Sequence, residues 1–209
     1  ILNLDRSGED APYSRLYLSD STYTIRDKDY SPQQPEYGLF TTWLYDPDSE
    51  GVLQLRARYC VPELSLANSP PAVLEAIDLI DDDQVVVLIR ASLGAIPANR
   101  EVIRPASYSP GHGSANLGFG FGQPYFSPFR SRYYSPFSAP PVYRPALSCA
   151  SGSAGFDLIP VAGALEKIPE KTLKIRLRFS TGDTSYWQLG AGTVRELKRM
   201  LALREKLSG

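Results

Sequence analysis

The chain of 209 residues is poor in the side chains that usually carry catalysis or bind metal ions. It contains one histidine, two cysteines and one methionine. The histidine, His112, lies between two glycines and has no partner nearby in the sequence. A metal site with several histidines is therefore excluded, and a catalytic triad is not indicated. We predict no catalytic residues, no metal site and no cofactor.

Two other patterns resemble ligand sites but lack the spacing that such sites need. The stretch GFGFG at 118–122 has neither the glycine spacing of a dinucleotide-binding loop nor the lysine of a phosphate-binding loop. Asp81, Asp82 and Asp83 lack the alternating ligands and distal glutamate of a calcium-binding loop. We interpret the first as backbone that passes close to a neighbour, and the second as a solvated turn at the end of a helix.

Long apolar runs are missing, and the charges nearly cancel. No run approaches the roughly 20 apolar residues that a membrane-spanning helix needs. The formal net charge is −1, which provides no general attraction to nucleic acid or to an acidic membrane. The sequence starts at Ile1 without a methionine, so we expect either a processed form with its signal peptide removed or a trimmed chain.

The two cysteines, Cys60 and Cys149, are 89 positions apart. This separation excludes a CxxC redox or zinc motif and favours a disulfide. Two buried free thiols in a reducing compartment are the alternative. A disulfide predicts an extracytoplasmic location, in the periplasm, in a lumen or outside the cell.

Carboxylates are absent from residues 105–156, although they are frequent elsewhere. The segment is rich in proline, glycine and aromatic residues, so neither an ordinary helix nor a central strand is predicted for it. It is also too aromatic for a plain solvated linker. Its three arginines give it a charge of +3, which leaves −4 on the rest of the chain to make the total of −1. We predict a single β-rich domain over 1–209, with 105–156 as an insertion.

The aromatic and arginine side chains of this insertion are our predicted partner-binding residues. An aromatic-Ser-Pro-Phe sequence occurs twice, around Pro128 and Pro136. Tyrosine, phenylalanine and arginine are enriched at the centres of protein interfaces, and an extended proline-rich backbone has little entropy left to lose on binding. The predicted set is Phe119, Phe121, Tyr125, Phe126, Phe129, Arg130, Arg132, Tyr133, Tyr134, Phe137 and Tyr143.

Period-two patterns dominate the remainder of the chain. Residues 52–60 and 172–179 both alternate between apolar and polar side chains, and each is followed or preceded by turn residues and a second strand. Two helices are predicted, one opening at Ser69 and one opening with a capping box formed by Thr193 and Glu196. We predict a β-dominated α+β fold, an antiparallel sheet or partly closed barrel of about six or seven strands with two helices and the insertion.

Two strands place a row of basic side chains on their polar face. Lys174, Arg176 and Arg178 form one row, and Arg56 and Arg58 form the other. Both are interpreted as solvated strand faces, with docking of an anionic surface as the functional alternative. If the two strands are neighbours, the rows form one continuous basic patch.

These features predict a non-catalytic, extracytoplasmic protein-interaction or assembly module that binds a protein partner or copies of itself. A single-stranded nucleic-acid-binding β domain is the first alternative, because arginines and aromatic rings are interleaved in the insertion. The net charge of −1 disfavours it, since neutralised phosphates supply much of that affinity. An enzyme whose site residues are scattered along the sequence is the second alternative.

Overall fold

The computed structural model describes residues 12–49, 51–109 and 142–208. Strands dominate, and two helices are present in these ranges, which confirms the β-dominated α+β prediction with antiparallel sheets. The strands are β1 (Leu16–Ser19), β2 (Thr22–Tyr30), β3 (Gly38–Asp46), β4 (Val52–Val61), β5 (Leu74–Asp81), β6 (Gln84–Arg90), β7 (Ala95–Arg104), β8 (Ser107–Ser109), β9 (Val142–Arg144), β10 (Leu147–Asp157), β11 (Leu173–Phe179) and β12 (Thr184–Leu189). The helices are α1 (Ala162–Leu165) and α2 (Ala191–Ser208).

Six strands form the larger sheet, in the order β1-β2-β3-β4-β10-β7. Strand β4 shows why they pair: its alternating apolar side chains are buried, while the side chains between them are half-buried or exposed. Successive side chains of a strand point to opposite faces, so this alternation gives the sheet an inner face and an outer face. The buried side chains of β4 are Leu53, Leu55, Ala57, Tyr59 and Val61.

Four strands form the second sheet, in the order β12-β11-β5-β6. The strict alternation of β11 buries Leu173, Ile175, Leu177 and Phe179. The rings of Tyr59 and Phe179 meet edge to face, with centroids 5.2 Å apart, and both sheets contribute to one apolar core. Helix α2 contacts β1, β2 and β3 and adds Val194, Leu197, Met200 and Leu201 to that core.

A closed barrel is absent from the described residues, so the barrel alternative is wrong. The larger sheet ends at β1 and β7, and the smaller one at β12 and β6. The predicted total of six or seven strands is too low, because the two sheets together hold ten. Two of the additional strands, β5 and β7, lack the alternation that marks β4 and β11.

Strand β5 replaces the helix that was predicted to open at Ser69. Its side chains are buried on both faces of the sheet: Ile77 and Leu79 on one, Asp78 and Ile80 on the other. A strand covered on both faces has no alternation, and its apolar residues then match a helical spacing by coincidence.

The acidic run is a turn, as predicted, but it ends a strand. Asp82 and Asp83 have φ of 45° and 62°, and they connect the paired residues Asp81 and Gln84. Two residues with positive φ suit the tight hairpin turn whose twist matches that of the strands.

Helix α2 begins at Ala191, two residues before the predicted cap Thr193. The carboxylate of Asp27, from β2, accepts a hydrogen bond from the N–H of Gly190 at 3.3 Å. Thr193 is fully buried and its hydroxyl donates to the Ser14 hydroxyl at 3.0 Å. A carboxylate from another element therefore stabilises the start of the helix. The local sequence does not reveal this contribution.

The chain divides into two compact units, 1–103 with 148–209, and 104–147. The first contains both larger sheets. The second contains the two-stranded β8–β9 ladder, and the final residues of the predicted insertion, 147–156, lie in β10 of the larger sheet. Neither described helix combines the length and the apolar character that crossing a membrane requires.

Candidate functional site

The described base of the predicted insertion is an antiparallel ladder between β8 and β9. Ser109 pairs with Val142, and Tyr108 pairs with Tyr143. Both tyrosines are 64% exposed, although opposite aromatic side chains of a ladder can pack together. An isolated two-stranded ladder is only marginally stable in water, so such exposed rings gain most from contact with another surface.

Most predicted partner-binding residues lie outside the described residues. Tyr143 is the member of the set that the structure describes, and its side chain is exposed. His112 also lies outside. The others outside are Phe119, Phe121, Tyr125, Phe126, Phe129, Arg130, Arg132, Tyr133, Tyr134 and Phe137.

Cys60 and Cys149 form a disulfide, which confirms that prediction. Their Cα atoms are 5.4 Å apart, and they join the neighbouring strands β4 and β10. Strand β10 contains the last residues of the predicted insertion, 147–156, so the bond fixes the end of the insertion to the larger sheet. The closed loop spans 89 residues, for which the chain-entropy model predicts a stabilisation of about 4 kcal/mol.

Four basic side chains lie together on the outer face of the larger sheet. Across β2, β3 and β4, Arg26 and Arg56 are both opposite Thr42. In the adjacent row of the same face, Lys28 and Arg58 are both opposite Phe40. We call this group the cationic face: Arg26, Lys28, Phe40, Thr42, Arg56 and Arg58.

The described strand neighbours of the cationic face supply no carboxylate in these two rows. On the far side of β4, Gly155 is opposite Arg56 and Ser153 is opposite Arg58. Within each row a side chain of β3 separates the two cations, and neighbouring strands are about 4.8 Å apart. The two rows therefore place four basic side chains on one face of the sheet.

Tyr13 supports this positive charge with its ring. The Arg26 guanidinium lies 4.8 Å and the Lys28 ammonium 4.3 Å from the ring centroid. Arg26 also donates a hydrogen bond to the Tyr13 hydroxyl at 3.2 Å. The electron-rich face of a ring attracts cations, so Tyr13 holds both side chains over the outer face of β2.

A groove of about 470 Å³ adjoins the cationic face. Its polar lining includes Thr42, Gln54, Arg56 and Ser153, and its apolar lining is Leu44, Leu55, Leu93, Ala95, Ile96 and Ala154. A smaller pocket of about 90 Å³ lies among Tyr13, Arg26, Asp27, Phe40, Thr41, Thr42, Arg56 and Arg58. Thr42 and Arg56 line both cavities, so the groove and the basic pocket are adjacent.

Small residues of β10, Ser153, Ala154 and Gly155, form the floor of the groove. A Cβ atom on Gly155 would lie 3.1 Å from the Cβ of Leu93, a distance that leaves little room for it. Two hydrogen bonds hold the wall to the floor, from Leu93 N–H to the Gly155 carbonyl at 3.1 Å and from Gly155 N–H to the Gly94 carbonyl at 2.9 Å. Leu93 and Ile96 remain 49% and 59% exposed, so the wall presents apolar side chains to solvent.

Asp27 lines the smaller pocket, but its carboxylate forms hydrogen bonds with groups inside the protein. It accepts hydrogen bonds from the Ser14 hydroxyl at 3.3 Å and from the Gly190 N–H. Burial raises the pKa of Asp27 above its usual value of 3.8, although these hydrogen bonds act in the opposite direction. Folding therefore disfavours the ionised form of Asp27 relative to the unfolded chain.

The basic row of β11 has a different environment from that of β4. Arg176 donates to the buried carboxylate of Asp78 at 2.7 Å, and this hydrogen bond raises the pKa of Arg176. Lys174 pairs with Asp83 at 3.0 Å. Strands β4 and β11 belong to different sheets, so the two rows are not neighbours and the continuous patch considered from sequence does not form.

The groove and the contribution of β2 to the cationic face were not predicted. Arg26 and Lys28 stand two residues apart, as do Arg56 and Arg58, so the alternation was visible in the sequence. The sequence does not show the strand order that brings both pairs to one face of the sheet. The described residues hold no cluster of three or more His, Cys, Asp or Glu side chains arranged to bind a metal ion.

No protein-family model, curated protein or solved structure matches this chain. The functional inference therefore rests on the residues and on their geometry.

Proposed function

We propose that this chain is a non-catalytic protein-interaction module that docks through the insertion 105–156. The docked surface belongs to another protein, and in the simplest case to a second copy of the chain. Charge supports self-association, because the insertion carries +3 and the rest of the chain −4. Complementary charges on two copies favour the encounter between them.

The observation that carries the proposal is the exposed pair Tyr108 and Tyr143, each 64% accessible at the base of a segment without carboxylates. Tyrosine combines a large apolar ring with a hydroxyl that can hydrogen-bond, so it gains from partial burial at an interface. Two such rings side by side match the aromatic anchors that dominate binding energies.

The disulfide supports an extracytoplasmic site of action. Reducing agents in the cytosol keep most thiols free, whereas disulfides persist in oxidising compartments. The bond joins Cys60 in β4 to Cys149 in β10, the strand that contains the last residues of the insertion. It would keep that strand in place while the insertion binds.

The test replaces residues 110–141 by a two-residue Asn-Gly turn. Ser109 and Val142 are paired in the ladder, so a tight turn can connect them. We expect sedimentation velocity to show concentration-dependent association of the full chain and a monomer for the shortened one. Circular dichroism should show the same unfolding transition for both proteins.

Point variants provide a second measurement that does not alter the chain length. Tyr108→Ser with Tyr143→Ser should weaken association at least tenfold, because aromatic anchors contribute about 2 kcal/mol or more. Tyr186→Ser is the matched control, since Tyr186 is 55% exposed on β12. A full chain that is monomeric at all concentrations would contradict docking on a second copy, and a shortened chain that cannot fold would contradict the proposal as a whole.

A further inference from the structure

We propose that the insertion of one copy of the chain adds as an extra strand to the free edge of β6 in a second copy. This docking site rests on the proposed function, since it is the surface on which the insertion docks. The site is the outer edge of the smaller sheet, formed by Gln84–Arg90. Extended segments bind exposed sheet edges through main-chain hydrogen bonds, and their side chains add specificity.

The backbone of β6 has hydrogen-bonding groups that face away from its own sheet. The N–H of Ala91 donates to the carbonyl of Glu75 at 2.8 Å, and the residues before Ala91 pair with β5 in antiparallel register. Hydrogen-bonded and non-hydrogen-bonded pairs alternate in such a ladder, so the N–H groups of Leu88 and Arg90 point away from β5. Among the described residues, no turn or loop accepts a hydrogen bond from either N–H. Both groups can therefore pair with an added strand.

In the described residues, the other three edges of the two core sheets each have a protection that β6 lacks. Strand β1 has only four residues. Strand β7 contains Pro97, and its Ala98 N–H donates to the Ala72 carbonyl at 2.8 Å. On β12 the Gln188 N–H donates to the Asp29 carboxylate at 2.8 Å. Short strands, proline and covering groups are common protections of an edge, so β6 is the edge open to strand addition.

The side chains of β6 make its edge apolar. Residues 85–89 are three valines, a leucine and an isoleucine, and the strand contains no lysine or proline. Val85 and Val86 are 48% and 38% exposed. An exposed apolar edge of this kind favours pairing with another strand. Aromatic side chains pack well against β-branched ones of a neighbouring strand, so the rings of the insertion suit this edge.

One run of the insertion has the length and composition of a partner strand. Residues 129–135, FRSRYYS, form the longest run in 110–141 without proline or glycine, and a proline flanks each end. The run has seven residues, as β6 has. Phenylalanine and tyrosine favour strands, and flanking prolines are compatible with a strand at the edge of a sheet. The run lies outside the described residues.

Charge complementarity favours the insertion as the occupant of this edge. Three aspartates, 81–83, precede β6, and they have two lysine partners, Lys171 and Lys174, so one negative charge remains. The second and third aspartate side chains are 89% and 90% exposed. The run of the insertion contains Arg130 and Arg132 and no carboxylate. Exposed ion pairs contribute little, so these arginines can approach the carboxylates without disrupting a strong contact.

The experiment separates the two halves of the contact. Val86→Lys places a charge on the exposed edge and should weaken self-association at least tenfold, which leaves a donor chain with its insertion intact. The chain with residues 110–141 replaced by Asn-Gly is an acceptor with its edge intact. We expect neither chain to associate alone in sedimentation velocity, and we expect their mixture to form a 1:1 complex.

Thr184→Lys is the matched control for the edge variant. It adds the same side chain at an exposed position of β12, the opposite edge of the same sheet. The control should associate as the wild-type chain does. Circular dichroism should show the same unfolding transition for Val86→Lys and Thr184→Lys, because both positions are exposed.

Hydrogen exchange gives a second measurement that needs no substitution. In the wild-type full chain, the amides of Leu88 and Arg90 should exchange at least tenfold more slowly in the assembly than at high dilution, because an added strand accepts hydrogen bonds from them. NMR resolves the individual amides. The exposed amide of Thr184 on β12 should exchange equally in both states.

The possible failures have different meanings. A full chain that stays monomeric would contradict docking on a second copy, and the β6 site with it. Association that survives Val86→Lys, or unchanged exchange at Leu88 and Arg90 in the assembly, would place the insertion on another surface and overturn the β6 site alone. A shortened chain that dimerises would show that β6 pairs with itself, which would also overturn the site.

Discussion

Strands β4 and β11 carry the same alternating row of cations but place it in opposite surroundings. On β11, Arg176 reaches the buried carboxylate of Asp78, and Lys174 reaches Asp83. On β4, Arg56 and Arg58 face Thr42 and Phe40, with further cations on β2 beyond them. The first row forms ion pairs with carboxylates of its own sheet, whereas the second lies opposite uncharged side chains of β3 and β10.

The comparison shows that a row of basic side chains on a strand does not by itself indicate a structural or a functional role. Its role depends on which strands lie beside it, and those strands are distant in the sequence. Asp78 and Arg176, for example, are separated by 98 positions. Four predictions test the contrast, beginning with the framework that holds the β4 row in place.

Removal of the disulfide should have the largest effect on stability. Cys60 lies on β4, and the variant Cys60→Ala with Cys149→Ala should lose about 4 kcal/mol of unfolding free energy, since the unfolded chain regains the freedom of an 89-residue loop. Urea unfolding in the presence and absence of a reducing agent measures the loss. A wild-type protein whose stability is unchanged by reduction would contradict the bond's role.

Removal of the buried carboxylate of the β11 row should have the next largest effect. Asp78 is 1% exposed, and Asp78→Asn leaves Arg176 without its ionic partner, so we expect a loss of about 3 kcal/mol. Asp83→Asn is the matched control, because its side chain is 90% exposed and surface pairs contribute about 0–1 kcal/mol. Equal losses for the two variants would refute the distinction between them.

Direct comparison of the two rows should give a smaller difference. Arg176→Gln should lower the unfolding free energy by about 2 kcal/mol, because Asp78 then keeps only Arg178, at 4.0 Å. Arg58→Gln should leave stability within about 0.5 kcal/mol, because Arg58 is exposed and lies opposite the uncharged residues Phe40 and Ser153. A marked loss for Arg58→Gln would mean that the cationic face serves folding after all.

Asp27 should give a small effect that depends on pH. Burial raises its pKa in the folded protein above 3.8, so folding favours the protonated form. Its contribution to stability is complete below about pH 3.8 and is lost as pH rises through the folded pKa. Measured against Asp27→Asn, the wild-type protein should therefore lose relative stability as pH rises through this range. A gain over the same range would contradict the direction of the shift.

The sequence predicts the strands whose two faces differ. In β4 and β11 one face is buried and the other is half-buried or exposed, so apolar and polar residues alternate in the sequence. The disulfide is predicted because the two cysteines form no local motif. The sequence of β5 predicts a helix, because both faces of the strand are covered and its side chains therefore do not alternate. Strand β7 was missed because it is mostly exposed and contains Pro97.

The candidate site was predicted only where it depends on composition. The exposed aromatic pair Tyr108 and Tyr143 belongs to a segment whose lack of carboxylates is obvious in the sequence. The groove could not be predicted from the sequence, because Gly155, Leu93 and Arg56 line it together but lie on separate strands and a turn. Strand order is a long-range property, and the alternation within a single strand does not encode it.

The central claim is that Tyr108 and Tyr143, the exposed rings at the base of the insertion, become covered by another protein surface. Hydroxyl-radical footprinting of the full chain, read at increasing protein concentration, tests it directly. We predict that Tyr108 and Tyr143 are labelled readily at high dilution and become protected as assemblies form, whereas Tyr186 stays labelled throughout. Rings that are already protected in the dilute monomer would contradict the claim.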